Sequence, residues 1–173
     1  MDIQNAARKA GRKVGRMLAT VEQPDADILE LLRKDHDEVE DLLDKLVESR
    51  NGTERKSLLK KIKGALVPHV RAEEKVVYDA VMAVKGRKEA EDGEEGYLEH
   101  GLADRMLATL GKTSGAMSPE FSAAAKVLKE LVLHHVREEE NNIWPDVREH
   151  FSDSDRAEMG KKFRQAKQRV RIN

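Results

Sequence analysis

Cysteine is absent from the 173 residues. Disulfides, thiolate metal sites and cysteine nucleophiles are therefore excluded, and a reducing compartment suits the chain. Aromatic residues make up only 3%, too few for the stacking platforms that hold single-stranded nucleic acid. Neither charge sign is in excess: 38% of residues are charged, but they cancel to a formal −1. No nucleic-acid partner is expected on that balance. No apolar run approaches the ~20 residues of a membrane span, so a membrane partner is not expected either. The opening "MDIQNAARKAGRKVGRMLATV" has no continuous apolar stretch of the kind a signal peptide carries. The expected compartment is the cytoplasm. The period-2 alternation of strands is missing throughout.

What is present reads as helix. Lys, Arg, Glu, Ala and Leu dominate, at helical spacing. The fold class expected is all-α: an up-down-up-down four-helix bundle with an additional helix at each terminus. Residues 1–22 are expected to form a basic amphipathic helix, with Ile3, Ala7, Ala10, Val14, Met17, Leu18 and Val21 on one stripe. That stripe is poor in bulky anchors, which favours packing on the bundle over binding to an acidic partner or a membrane surface. Residues 23–173 form the bundle. Its first long helix runs from about Asp25 to Ser49, with Gly52 as a stop and Thr53 as the next cap. The second runs from about Glu54 to Val84, with a kink expected at Pro68. "KGRKEAEDGEEG" reads as a polar connection. The third helix carries Tyr97 to Leu110, and the fourth starts at Ser118-Pro119 and runs to about His150, with Pro145 near its end. A last helix spans about Arg156 to Val170.

One phrase occurs twice. "PHVRAEEKVVYDAV" begins at Pro68, and "HHVREEENNIWPDV" at His134. Aligning them matches His69 with His135, Glu73 with Glu139 and Glu74 with Glu140, an offset of 66. Upstream, "DHDEVEDLLDKL" around His36 matches "EHGLADRMLATL" around His100, an offset of 64. The chain is thus two copies of a helix pair, and approximate two-fold symmetry follows.

Four of the six histidines fall one per long helix at matching repeat positions; His134 and His150 do not. In the second helix of each pair a glutamate follows the histidine at i+4, on the same face one turn away. Polar groups written symmetrically into buried faces are costly without partners. Four imidazoles and two carboxylates at one level make a metal site instead. Nitrogen and oxygen donors without sulfur suit iron, manganese or zinc. Two bridging carboxylates could hold two metals, each also taking two histidines. HExxH is absent, and so is the Glu-x-x-His pattern of ferritin-like bundles.

The ordered set "DHDEVEDLL", "PHVRAEEKVVYDAV", "EHGLADRML" and "HHVREEENNIWPDV" resembles the hemerythrin-like proteins, or HHE cation-binding domains, over about residues 25 to 168. The resemblance implies two non-haem iron ions, bridged, in the bundle core. It implies the ligands His36, His69, Glu73, His100, His135 and Glu139, with Glu73 and Glu139 as bridges. The oxygen-carrying members have a second histidine four residues after the third-helix ligand, where this chain has Asp104. They also have an aspartate five residues after the last-helix histidine, where it has Glu140. Asp104 and Glu40 are extra ligands, orienters of the imidazoles or plain surface charges. The resemblance then implies a small diatomic molecule (oxygen or nitric oxide) or peroxide as the partner, with reaction, sensing or iron handling rather than simple carriage. Whether there is turnover stays open, as in peroxide degradation. The alternatives are an iron sensor or store without turnover, and a structural bundle holding zinc. The sequence points to no particular protein partner.

Overall fold

The computed structural model describes residues 26–84 and 86–172. The helix expected over residues 1–22 lies outside them. Five helices make up the described chain. Helix α1 is Ile28–Glu48, opened by Asp27, whose carboxylate accepts a hydrogen bond from the Leu29 N–H at 2.8 Å. Helix α2 is Gly52–Glu73. It runs without a break into a π-helical turn, Glu74–Tyr78, and a last α-helical turn, Asp79–Met82. Helix α3 is Arg87–Lys112. Helix α4 is Pro119–Glu138, capped by Ser118, and it too continues through a π-helical turn, Glu139–Ile143, into Trp144–His150. Helix α5 is Asp153–Arg169, started by a reciprocal capping box between Ser152 and Asp155.

Each of α1 to α4 packs on its two chain neighbours in the ring, with α4 closing back onto α1, and α5 lies across α1 and α2. This is the expected bundle. Its core has two apolar halves. Leu43, Leu46, Ile62, Leu110, Phe121 and Leu128 fill one end. Ile28, Leu32, Val77, Trp144, Val147 and Phe163 fill the other. The buried histidines fall between the two. Buried Arg55 ties the far end together, donating to the Ser49 and Ala116 carbonyls and to Ser122 Oγ.

Two local expectations need correction. "KGRKEAEDGEEG" is not a connection, because α3 begins at Arg87 within it. Ion pairs at i,i+4, Arg87–Glu91 and Lys88–Asp92, support that first stretch. Its glycines are buried contacts: a Cβ on Gly93 would lie 2.5 Å from Met82 Cγ, and one on Gly96 would lie 2.6 Å from the Tyr78 ring. Close approach of α2 therefore offsets the poor helix propensity of glycine. Helix α2 starts at Gly52 rather than Glu54, because the Asn51 side chain caps it by accepting from the Thr53 and Glu54 N–H groups. Helix α2 continues through Pro68, where one backbone donor is missing, and changes to the π-helical pattern at Glu74. Pro145 falls in the first turn after the second π-helical turn, where proline is tolerated. Among the described residues no helix is long and apolar enough to cross a membrane.

Candidate metal centre

The four long helices each deliver one buried histidine to the same level: His36 from α1, His69 from α2, His100 from α3 and His135 from α4. Buried Glu73 and Glu139 join them, with 0% and 1% of their surface exposed. Each π-helical turn starts directly after Glu73 or at Glu139 itself. Such widened turns occur often at functional sites.

The inward atoms are the Nε2 nitrogens. His69 Nε2 lies 3.3 Å from Glu73 Oε2, and His100 Nε2 lies 3.5 Å from the same oxygen. His36 Nε2 is 3.2 Å from Glu139 Oε2, and His100 Nε2 is 3.1 Å from His135 Nε2. Two groups of candidate donors result: His36, His69 and Glu73, then Glu73, His100 and His135, with the donor atoms of each group within 4.8 Å of one another. Glu73 belongs to both. The hydroxyl of Tyr78 stands 3.5 Å from His135 Nε2, and the Tyr78 ring stacks on His100.

The outward atoms are the Nδ1 nitrogens, and every one meets a carboxylate. His69 Nδ1 pairs with Asp35 at 3.0 Å and His135 Nδ1 with Glu99 at 2.7 Å. His100 Nδ1 pairs with Glu74 at 3.1 Å and His36 Nδ1 with Glu140 at 3.4 Å. The pattern obeys the repeat. The acid preceding the histidine of α1 or α3 holds the histidine of its partner helix. The acid following Glu73 or Glu139 holds the histidine of α3 or α1. A proton kept on Nδ1 leaves the Nε2 lone pair facing inward, as metal-bound histidines require.

The charges are strongly coupled. Burial would lower the His69 pKa, but Glu73 and Asp35 outweigh it and hold the imidazole up at about 10. His100 is held up at about 9 against burial by Glu73 and Glu74. His36 is raised too, with Glu139 overcoming its burial. Burial would raise Glu73, yet His69 and His100 keep it well below the usual carboxylate range. Burial, then Glu139 and Glu73, push the Tyr78 phenol well above its ordinary value.

Ion pairing does not satisfy the cluster. His36 Nε2 and both oxygens of Glu73 and of Glu139 are buried without a hydrogen bond of ordinary geometry. Orphaned buried acceptors cost on the order of 1–3 kcal/mol each, more when charged. Five such atoms converging with nitrogen and oxygen chemistry fit cations. The two His/His/Glu clusters, joined by a shared glutamate, are consistent with the bridged di-iron site of hemerythrins.

All six residues expected as ligands are thus brought together. His134, next to His135, is half exposed and only approaches Glu99, at 3.5 Å. Glu140 points away from the centre, to Arg33 and the back of His36. Asp104 is partly exposed and pairs with Arg71, which in turn binds Glu74, the partner of His100. Glu40 is exposed on α1. Sequence reasoning did not assign roles to Asp35, Glu74, Glu99, Glu140 and Tyr78. The available signal was the doubled acid–histidine and Glu-Glu pairs: "DH" and "EH", and "EE" twice.

Comparison with known proteins agrees with this geometry. The Hemerythrin HHE cation binding domain family matches residues 27–165, and the chain belongs to that family. A curated relative, described as a DNA nickase from Nostoc sp., is 28% identical over 149 residues, which cover 86% of this chain and 41% of the relative. The chain therefore spans less than half the length of that relative. No solved structure matches.

Proposed function

We propose that this member of the hemerythrin family binds two iron ions and reacts there with a small diatomic molecule or peroxide. Its ligands in this reading are His36, His69, His100 and His135, with Glu73 and Glu139 as bridging carboxylates. The carrying observation is Glu73: one buried carboxylate, without a hydrogen bond, shared by two histidine pairs. Bound iron supplies redox chemistry and open coordination positions for a small ligand.

The chain's own residues supply the rest. Asp35, Glu74, Glu99 and Glu140 each hold the Nδ1 side of an imidazole, so the rings are aimed before binding and Nε2 is the nitrogen that gives up its proton. The apolar halves of the core on either side keep bulk water out, which strengthens every charge interaction inside. The Tyr78 hydroxyl, kept protonated, offers an O–H donor beside the His135 nitrogen. Arg71 and Asp104 steady Glu74 from outside. We place this function in the cytoplasm.

The test is metal analysis with a visible spectrum of the purified protein, followed by cycles of reduction, oxygen exposure and oxygen removal, and by peroxide-loss assays. Two irons per chain, visible absorption and peroxide loss above that of free iron are expected. A colourless zinc protein would overturn the reading. Iron without turnover would leave a sensor or store. A second reading, metal-dependent DNA nicking, is suggested by the Nostoc relative, a DNA nickase. Nicking of supercoiled plasmid by the iron-loaded chain, abolished in His69→Ala, would favour it.

A further inference from the structure

The six inward residues are all buried, so a cation needs a way in. One cleft bounded by described residues reaches them. It opens between α3 and the π-helical turn of α4, and its free volume, about 10 Å³, is that of a single water. His135 and Glu139 lie on its inner side, with Asp92, Glu95, Glu99 and Glu138 around them. Among the described residues no lysine or arginine lines it. The carboxylates are graded by depth. Glu95 is exposed, Asp92 and Glu138 are partly buried, and Glu99 and Glu139 are buried. Asp92 shares Lys88 with Asp146, Glu138 accepts from the Asn142 amide at 2.8 Å, and Glu99 accepts from His135. The independent pointer to a ligand is Glu139. It is 1% exposed, lines this cleft, and has both carboxylate oxygens without a hydrogen-bond partner.

We propose that this cleft is the port through which a divalent cation enters the centre, with Glu95 and Glu138 as capture groups outside the ligand set. A row of hard oxygens, of which Glu95 and Glu138 have no lysine or arginine partner among the described residues, draws a hard cation inward and hands it to Glu139. Gly96 lines the passage without a side chain of its own. The port rests on the di-metal reading above. It adds a route and two residues that the reading does not need.

The test is stopped-flow uptake of Co(II) by metal-free full-length protein at low and high salt. Glu95→Gln with Glu138→Gln should slow bimolecular uptake about tenfold at low salt. The gap should narrow as salt rises, while final stoichiometry and the Co(II) spectrum stay those of the wild type. The charge-matched control is Glu30→Gln with Glu38→Gln, exposed positions on α1. It should load at nearly the wild-type rate. Equal slowing in both pairs would assign the effect to net charge and overturn the port, as would unchanged uptake in the first pair. Wild-type protein that takes up no Co(II) would overturn the metal reading itself, and the port with it.

Discussion

Glu99 accepts a hydrogen bond from His135 Nδ1 at 2.7 Å, bringing together residues 36 apart in sequence. The bond fixes which imidazole nitrogen keeps its proton and turns Nε2 toward His100, 3.1 Å away. Asp35 does the same for His69 in the other repeat. Glu99→Gln keeps the shape and removes the charge. Metal affinity should fall about 10–100-fold, with stoichiometry at saturating metal unchanged. Competition with a chelator measures it, and an unaltered affinity would show that the Glu99 bond does not tune the centre.

Adjacent histidines give a sharper contrast. His135 is buried with Nε2 in the cluster, whereas the His134 side chain is 51% exposed. His135→Ala should lose metal, most simply seen as a change in metal-to-protein ratio after desalting. His134→Ala should retain nearly all of it. The opposite result would mean that α4 is rotated by one residue.

The helices and the inward residues were legible because both are written in periodicity. Histidine and glutamate at i+4, once per repeat, place His69 with Glu73 and His135 with Glu139 before any coordinates are known. The start of α3 was not legible. Its glycines look like a loop, and only the tertiary contacts of Gly93 with Met82 and Gly96 with Tyr78 explain them. The orienting carboxylates were hidden for a related reason. Asp35 acts on another helix, so no spacing within α1 reveals it. Asp104 drew attention through its i+4 offset from His100, yet its contact is Arg71. The π-helical turns, which follow Glu73 and begin at Glu139, have no simple signal in residue type.

Protons should leave when metal arrives. In the metal-free chain His69 and His100 are held up at about 10 and about 9, so both are cationic at pH 7. Metal needs their lone pairs. Calorimetric titration in buffers of different ionisation enthalpy should therefore show release of at least about two protons per chain at pH 7, with raised His36 adding to them. The same shifts set the stability of the metal-free fold. Raised histidines contribute fully below their ordinary 6.5 and lose that contribution as pH climbs through about 9 to 10. Glu73, depressed from 4.5, contributes above that value and loses it as pH falls through its lower folded value. The metal-free melting temperature should be highest between about pH 4.5 and 6.5 and decline toward pH 10. The loaded protein, its histidines already deprotonated, should lack that alkaline decline. A metal-free melting temperature that rises from pH 7 to pH 10 would contradict the charge assignment.

Tyr78 is where the chain departs most from a plain ligand cage. Its ring is fully buried, stacked on His100 with centroids 5.3 Å apart and planes at 17°. Its hydroxyl approaches the inward nitrogen of His135 at 3.5 Å. Gly96 makes this placement possible, since a Cβ there would lie 2.6–2.7 Å from the outer ring atoms and the hydroxyl. Tyr78→Phe keeps the stacked ring and deletes only the O–H. Removing so long a contact should cost no more than ~1 kcal/mol of stability, and iron content should stay at the wild-type level. A hydrogen bond to a charged group is worth ~1.5–3 kcal/mol, so affinity for anionic azide should drop by at least about tenfold, and for neutral nitric oxide by less. Gly96→Ala provides the second arm. It forces the Tyr78 ring to shift while leaving the hydroxyl on the protein, and it should weaken the same ligands with iron content preserved. Both arms are read by titrating the visible spectrum with azide or nitric oxide. If Tyr78→Phe binds these ligands as tightly as the wild type, the phenol is packing for His100 and has no part in receiving the small molecule.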